Sequence, residues 1–127
     1  MSEVVLDSSA LLAWLAGEDG GEKVQQALGA AAISCVNLAE VLTKLADRGV
    51  PEPEQRRIVA NLGLVVTDFD ESAAWTSAAL RSTTRAQGLS FGDRACLALA
   101  LRRGVPALTA DRRWSNLDLG IEIRLIR

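Results

Sequence analysis

Short apolar runs alternate with amphipathic stretches along this chain. Val4-Val5-Leu6 is apolar and β-branched and is followed by turn-forming Asp7-Ser8-Ser9, so Glu3 to Leu6 reads as a short buried strand. Ser8-Ser9 is the expected cap of a helix through Ala10-Leu11-Leu12-Ala13-Trp14-Leu15, stopped at Gly17. Gly20-Gly21 opens a second helix, Glu22 to Leu28. Ala31 to Ser34 is a second strand, and Ser34 caps a helix from Val36 to Asp47 that ends at Gly49-Val50-Pro51. Pro53 begins a helix to Asn61, and Leu64 to Thr67 is a strand. Asp70 caps a long helix, Glu71 to Gln87, with Gly88 as its stop; Ser90 caps another, Phe91 to Arg103, ended by Gly104. Val105 to Thr109 predicts a strand, Arg112 to Leu117 a short helix, and Ile121 to Ile126 a last strand.

Short apolar strands separated by helices predict an α/β fold with a mostly parallel sheet covered on both faces. No linker, repeat or low-complexity segment interrupts it, so residues 1–127 read as one domain. Ligands of such sheets bind at the carboxyl ends of the strands. Asp7 and Asp111 each close a predicted strand and therefore converge on that edge.

Composition narrows the chemistry. At 49% hydrophobic and 24% charged residues, the chain is an ordinary globular one. No apolar run approaches the roughly 18 residues of a membrane span. Met1-Ser2-Glu3-Val4 lacks a basic n-region, so no signal peptide is expected. Cys35 and Cys96 show no metal-ligand spacing and read as free thiols in a reducing cytoplasm. There is no histidine and no tyrosine, which excludes histidine bases, Ser-His-Asp triads, zinc sites built on histidine and tyrosine nucleophiles. The net charge of −2 hides an asymmetry. Residues 1–80 carry five basic and twelve acidic side chains; residues 81–127 carry nine arginines against four acids. Arginine without lysine suits bidentate phosphate contacts, and equally suits solvated helix faces.

Each of four acids placed against apolar segments has an ordinary explanation. Asp7 can be a turn residue or helix cap. Glu40 lies opposite the stripe Leu38, Val41, Leu42 and Leu45, beside Asn37, and can pair with Lys44 at i,i+4. Asp93 has Cys96, Leu97 and Ala100 as helical neighbours and no basic partner, yet Ser90-Phe91-Gly92-Asp93 also fits a capping box. Asp111 can cap Arg112-Arg113-Trp114, and Asp118 reads first as a turn residue. Brought together, the four carboxylates would repel one another unless a cation sat among them.

The four segments share an order with one known family. Val4-Val5-Leu6-Asp7-Ser8-Ser9-Ala10-Leu11-Leu12-Ala13 resembles the opening motif of PIN-domain proteins. Asn37-Leu38-Ala39-Glu40-Val41 resembles the second motif, Leu89-Ser90-Phe91-Gly92-Asp93-Arg94-Ala95-Cys96 the third, and Thr109-Ala110-Asp111-Arg112-Arg113-Trp114 the fourth. The likeness runs through essentially the whole chain, and its compact length is similar to that of VapC-type toxins of toxin–antitoxin pairs. The resemblance implies an α/β/α sandwich around four or five mostly parallel strands. It also implies an endoribonuclease dependent on Mg²⁺ or Mn²⁺. In that case Asp7, Glu40, Asp93 and Asp111 form the acidic pocket, with Asp7 and Asp93 as the foremost metal ligands. Ser8, Asn37 and Thr109 would hold those carboxylates or an attacking water.

Arg94, Arg112 and Arg113 stand near the acids in sequence and are candidates for RNA phosphate contacts. A homodimer is expected, because an acidic pocket on an acidic protein needs basic faces beside it. The stripe of Leu11, Trp14, Leu15, Leu38, Leu42 and Leu45 is either plain core or a groove for an antitoxin helix. Phosphatase and receiver domains fit less well: position 9 is serine, and the only lysines are Lys23 and Lys44. The stronger rival is a PIN scaffold that binds RNA or a partner without cutting.

Overall fold

The computed structural model describes residues 3–127. The absence of a signal peptide was read partly from Met1 and Ser2, which lie outside the described residues. Five strands form one sheet: β1 (Val4–Leu6), β2 (Ala31–Ser34), β3 (Val65–Thr67), β4 (Ala107–Thr109) and β5 (Ile123–Leu125). Their order is β3-β2-β1-β4-β5, and every neighbouring pair is parallel. Six α-helices connect them: α1 (Ser8–Leu15), α2 (Gly21–Ala27), α3 (Cys35–Asp47), α4 (Glu52–Leu62), α5 (Glu71–Thr84) and α6 (Phe91–Arg103).

Strand alternation divides the core in two. Val4, Leu6, Ala31, Ile33 and Leu108 point to one face, against α1 to α4. Val5, Ala32 and Ala107 point to the other, beneath α6 and Leu80 of α5. Helices on both faces of a parallel sheet make the three-layer α/β/α sandwich. Helix α6 is buried nearly all round, from Ala95 through Ala100. Its alanines let it lie close across β1, β2 and β4 while packing against α3 and α5.

The expected elements form, with shifted ends. Helix α1 begins at Ser8, because Asp7 takes the extended N-cap conformation, and Ser8 and Ser9 become its first turn. Ser34, Asp70 and Ser90 cap as expected, through Val36 N, Ala73 N and Asp93 N. The helix expected to reach Gln87 ends at Thr84 and tightens into a 3-10 turn, Arg85–Gln87. The helix expected after Asp111 is also 3-10, Arg112–Asn116. Strand β4 starts at Ala107 rather than Val105; Pro106 has no N–H for the ladder, although its carbonyl accepts from Val5 N at 2.9 Å. Both cysteines are free thiols. Among the described residues, no helix is long and apolar enough to cross a membrane.

The sheet's order reverses at β1. The chain moves outward through β2 and β3, then returns to the other side of β1 for β4 and β5. The connections leaving β1 and β4 diverge there and open a crevice at the carboxyl ends of those strands.

The final residues dock on the turn between α1 and α2. Gly20 has φ +88°, and a Cβ there would fall onto the Ile126 carbonyl, with its carbon 2.8 Å away. Gly17 is also left-handed, at φ +68°, but faces open space. Gly17→Ala should therefore cost about 1 kcal/mol of unfolding free energy and Gly20→Ala roughly 3 kcal/mol. Urea denaturation of the two variants checks this; equal midpoints would refute it.

Candidate acidic metal site

Four segments deliver the acids to the β1–β4 crevice. Asp7 leaves the end of β1, and Asp111 follows β4. Asp93 is in the first turn of α6, and Glu40 is one turn into α3.

Asp7 is the buried member, only 2% exposed. Its Oδ2 accepts from Ser9 Oγ at 2.6 Å and from Thr109 Oγ1 at 2.9 Å. Its Oδ1 is buried and has no partner. Burial chiefly, with the charges of Asp93 and Glu40 adding to it, pushes the Asp7 carboxyl up to about 6 despite the two hydroxyl donors. Ser9 also accepts from Ala110 N at 3.0 Å and lies 3.2 Å from Thr109 Oγ1, stitching the two strand ends together. Thr109 Oγ1 in turn accepts from Asp111 N at 3.0 Å. Ser9 thus occupies the place the sequence assigned to Ser8. Among the described residues Ser8 makes no side-chain hydrogen bond to these acids, because the early start of α1 turns its neighbour inward. A pair of hydroxyls directly after a strand-end aspartate was the signal available, and it did not choose between the two serines.

The α3 segment also departs from expectation. Its buried line is Asn37, Val41 and Leu45, whereas Leu38 and Leu42 are only partly buried. Asn37 is wholly buried, not solvated, because α6 packs over that face. Asn37 Nδ2 donates to Glu40 Oε1 at 3.0 Å and to the Gly92 carbonyl at 2.9 Å. These two acceptors fix which amide atom is nitrogen and leave Asn37 Oδ1 buried without a partner. Glu40 is held by Asn37, and no Glu40–Lys44 ion pair forms among the described residues. Gly92 completes the cradle: a Cβ on it would lie 2.7 Å from Glu40 Cδ.

Asp93 closes the capping box, accepting from Ser90 N at 2.8 Å. Asp111 caps the 3-10 turn through Arg113 N at 2.9 Å. Arg113 binds the same carboxylate through Nε and Nη2, the latter 2.6 Å from Oδ2, and this holds the Asp111 carboxyl below its usual range. Arg112 is exposed. Arg94 is not: its Nη1 donates to the Ser77 carbonyl at 3.0 Å and its Nε is buried. The α5–α6 contact captures it. Asp118 is exposed in the irregular segment that follows the 3-10 turn.

Among the described residues, no three carboxylates or thiols form a ready-made cation cage. The donor set still fits Mg²⁺ or Mn²⁺, which keeps several waters and takes only one or two carboxylates. The donors are all oxygen, one buried Asp7 oxygen has no partner, and the mutual repulsion around Asp7 is what a cation relieves. A cavity of about 400 Å³ is lined by Lys23, Leu108 and Ile126 among others and by none of the acids.

A family model described as PIN domain matches residues 4–119. No curated protein matches the chain. The fold is similar to a DNA-bound VapBC from Salmonella typhimurium, at 20% identity and a TM-score of 0.76, with 100% of both chains covered. It is similar to VapBC-5 from Mycobacterium tuberculosis, a member of the VapBC family of toxin–antitoxin systems, at 25% identity and a TM-score of 0.65, covering 98% of this chain and 99% of that one. It is also similar to VapC20 from Mycobacterium tuberculosis, a sarcin–ricin loop cleaving toxin, at 16% identity and a TM-score of 0.70, covering 94% of this chain and 99% of that one.

The raised Asp7 carboxyl has a thermodynamic signature. Between the ordinary 3.8 and about 6, the folded protein retains a proton that the unfolded chain has lost. Stability contributed by this site therefore falls as pH rises through that window, by on the order of 2 kcal/mol. In chelator above pH 6, Asp7→Asn should melt higher than the wild type, and near pH 4 the difference should vanish. Thermal melts across pH measure this; a lower melting point for the variant at neutral pH would contradict it.

Proposed function

This chain belongs to the PIN-domain family, and from that premise we propose that it is a metal-dependent endoribonuclease, the toxin of a toxin–antitoxin pair, with residues 1–127 acting as one domain. One observation carries the reading. A carboxylate is buried at the sheet's switch point with an unpartnered oxygen and two further acids raising its repulsion. Such an arrangement costs stability, and a divalent cation recovers that cost.

Asp7 and Asp93 are the residues we assign first to Mg²⁺ or Mn²⁺, with Glu40 and Asp111 completing the acidic set. A bound hard cation supplies charge neutralisation for the phosphate and a more acidic water. The chain's own residues do the rest. Asn37 and Gly92 fix the Glu40 carboxylate, which accepts a proton from the attacking water. Ser9 and Thr109 hold one edge of Asp7, so its other oxygen stays free for the cation. The exposed Arg112 takes a flanking phosphate of the RNA.

The partners follow the same reading. Leu38 and Leu42 of α3 and Val59 and Ala60 of α4 line an open groove of about 340 Å³. Its apolar floor and half-buried leucines suit one face of an amphipathic antitoxin helix, and several similar structures are toxin–antitoxin complexes. We place the protein in the cytoplasm, consistent with its two free thiols, and as a homodimer that sets basic surface beside the acidic crevice.

Cleavage of defined RNAs with Mg²⁺ or Mn²⁺, with and without EDTA, tests the reading. We expect cleavage that chelation abolishes and that Asp93→Asn reduces by on the order of 10²-fold or more. RNA bound but uncut by the folded wild type would favour the non-catalytic scaffold. Gly92→Ala is a second expectation. Its methyl group must displace the Glu40 carboxylate, a movable side-chain end, so activity should fall roughly 10–100-fold with little change in melting temperature. Unchanged turnover would remove Glu40 from the site.

A further inference from the structure

Arg113 is held more completely than an exposed arginine needs to be. Nε lies 3.1 and 3.0 Å from the two oxygens of Asp111, and Nη2 lies 2.6 Å from Oδ2. On its far side Nη1 donates to the Gly88 carbonyl at 3.1 Å and approaches that of Gln87 at 3.4 Å. The guanidinium thus clasps the segment after β4 to the turn before α6, the two borders of the crevice. One edge stays open: Nη2 is 3.6 Å from Asp93 Oδ2, too long for a hydrogen bond, so an N–H there is available to another acceptor.

We propose that Arg113, set between Asp111 and Asp93, takes the place of a second cation shared by those two carboxylates, so that Asp111 serves the arginine and a single divalent ion is held by Asp7 and Asp93 with water completing its shell. This rests on the metal-dependent reading above. Asp7 feels the charges of Asp93 and Glu40, as does the buried Cys96 thiol, whereas Arg113 balances Asp111 first and Asp93 more weakly, across 3.6 Å. Asp7 and Asp93 together carry up to two negative charges, which one divalent ion neutralises. A second ion would have to break the Asp111–Arg113 fork and sit beside a fixed positive charge. With the fork intact, the free Nη2 edge faces the acids and offers the RNA phosphate a hydrogen bond as well as charge.

The test counts ions. Mn²⁺ binding to the purified protein, followed by the paramagnetic resonance of free Mn²⁺, should give one ion per wild-type chain. Arg113→Gln leaves Asp111 unpaired and should raise the count towards two, while Arg113→Lys, which keeps the charge, should stay at one. Two ions on the wild type, or no second ion on a folded Arg113→Gln protein, would each overturn the proposal. Absence of Mn²⁺ binding by wild type and Arg113→Gln alike would instead overturn the metal reading beneath it.

Discussion

The uncompensated charge of Asp7 organises this structure. A carboxylate at the end of a central strand must either be neutralised or be given donors and a counter-charge. Here it receives two hydroxyl donors on one oxygen and nothing on the other. Those donors come from β1's own continuation and from the end of β4, so satisfying half of one carboxylate also locks the two strand ends in register. The half left unsatisfied is the half that a bound cation would complete. Stability is given up at one atom, and the surrounding sandwich is tight enough to hold the atom in place.

Small residues let the other acids approach. Gly92 leaves room for the Glu40 carboxylate, and its carbonyl takes the second Asn37 hydrogen bond. The alanines along α6 bring that helix down on the sheet, so Asp93 starts its first turn beside Asp7. Arg113 then balances the acid that burial does not reach. The result sets a buried carboxylate with one unpartnered oxygen beside a more exposed carboxylate paired with arginine.

The architecture was legible in the sequence, as was the placement of Asp7 and Asp111 at strand ends, and the reason is periodicity. Apolar runs bounded by Ser34, Asp70 and Ser90 define elements whose caps form as expected, and strand-end aspartates fall on the productive edge of a parallel sheet. Periodicity also explains the failures. A helical wheel separates apolar from polar positions but cannot say which polar face meets another element. Asn37 could therefore be placed on the polar face with Glu40, but not seen to be buried by α6 against a backbone carbonyl. The choice between Ser8 and Ser9 depended on where α1 begins, which is a matter of one residue. Arg94 was near the acids in sequence but turned towards α5, since adjacent helical residues face different directions. Glu40 was legible only through the family motif; its holding by Asn37 and Gly92 is a long-range contact that the local pattern does not contain.

The pairing of Val5 with Ala107 has a consequence for how the molecule comes into being. The central strand waits for a neighbour about a hundred residues downstream, and Thr109, which holds Asp7, arrives with it. Non-local strand pairing of this kind forms late and slowly. On a ribosome the first half of the chain can settle α1 to α4 against β1 and β2, but it exposes a carboxylate with an incomplete set of donors. The crevice cannot close until residue 111 has been translated. A truncated chain, or one stalled in synthesis, carries the acids of the first two motifs and none of the geometry that brings all four together.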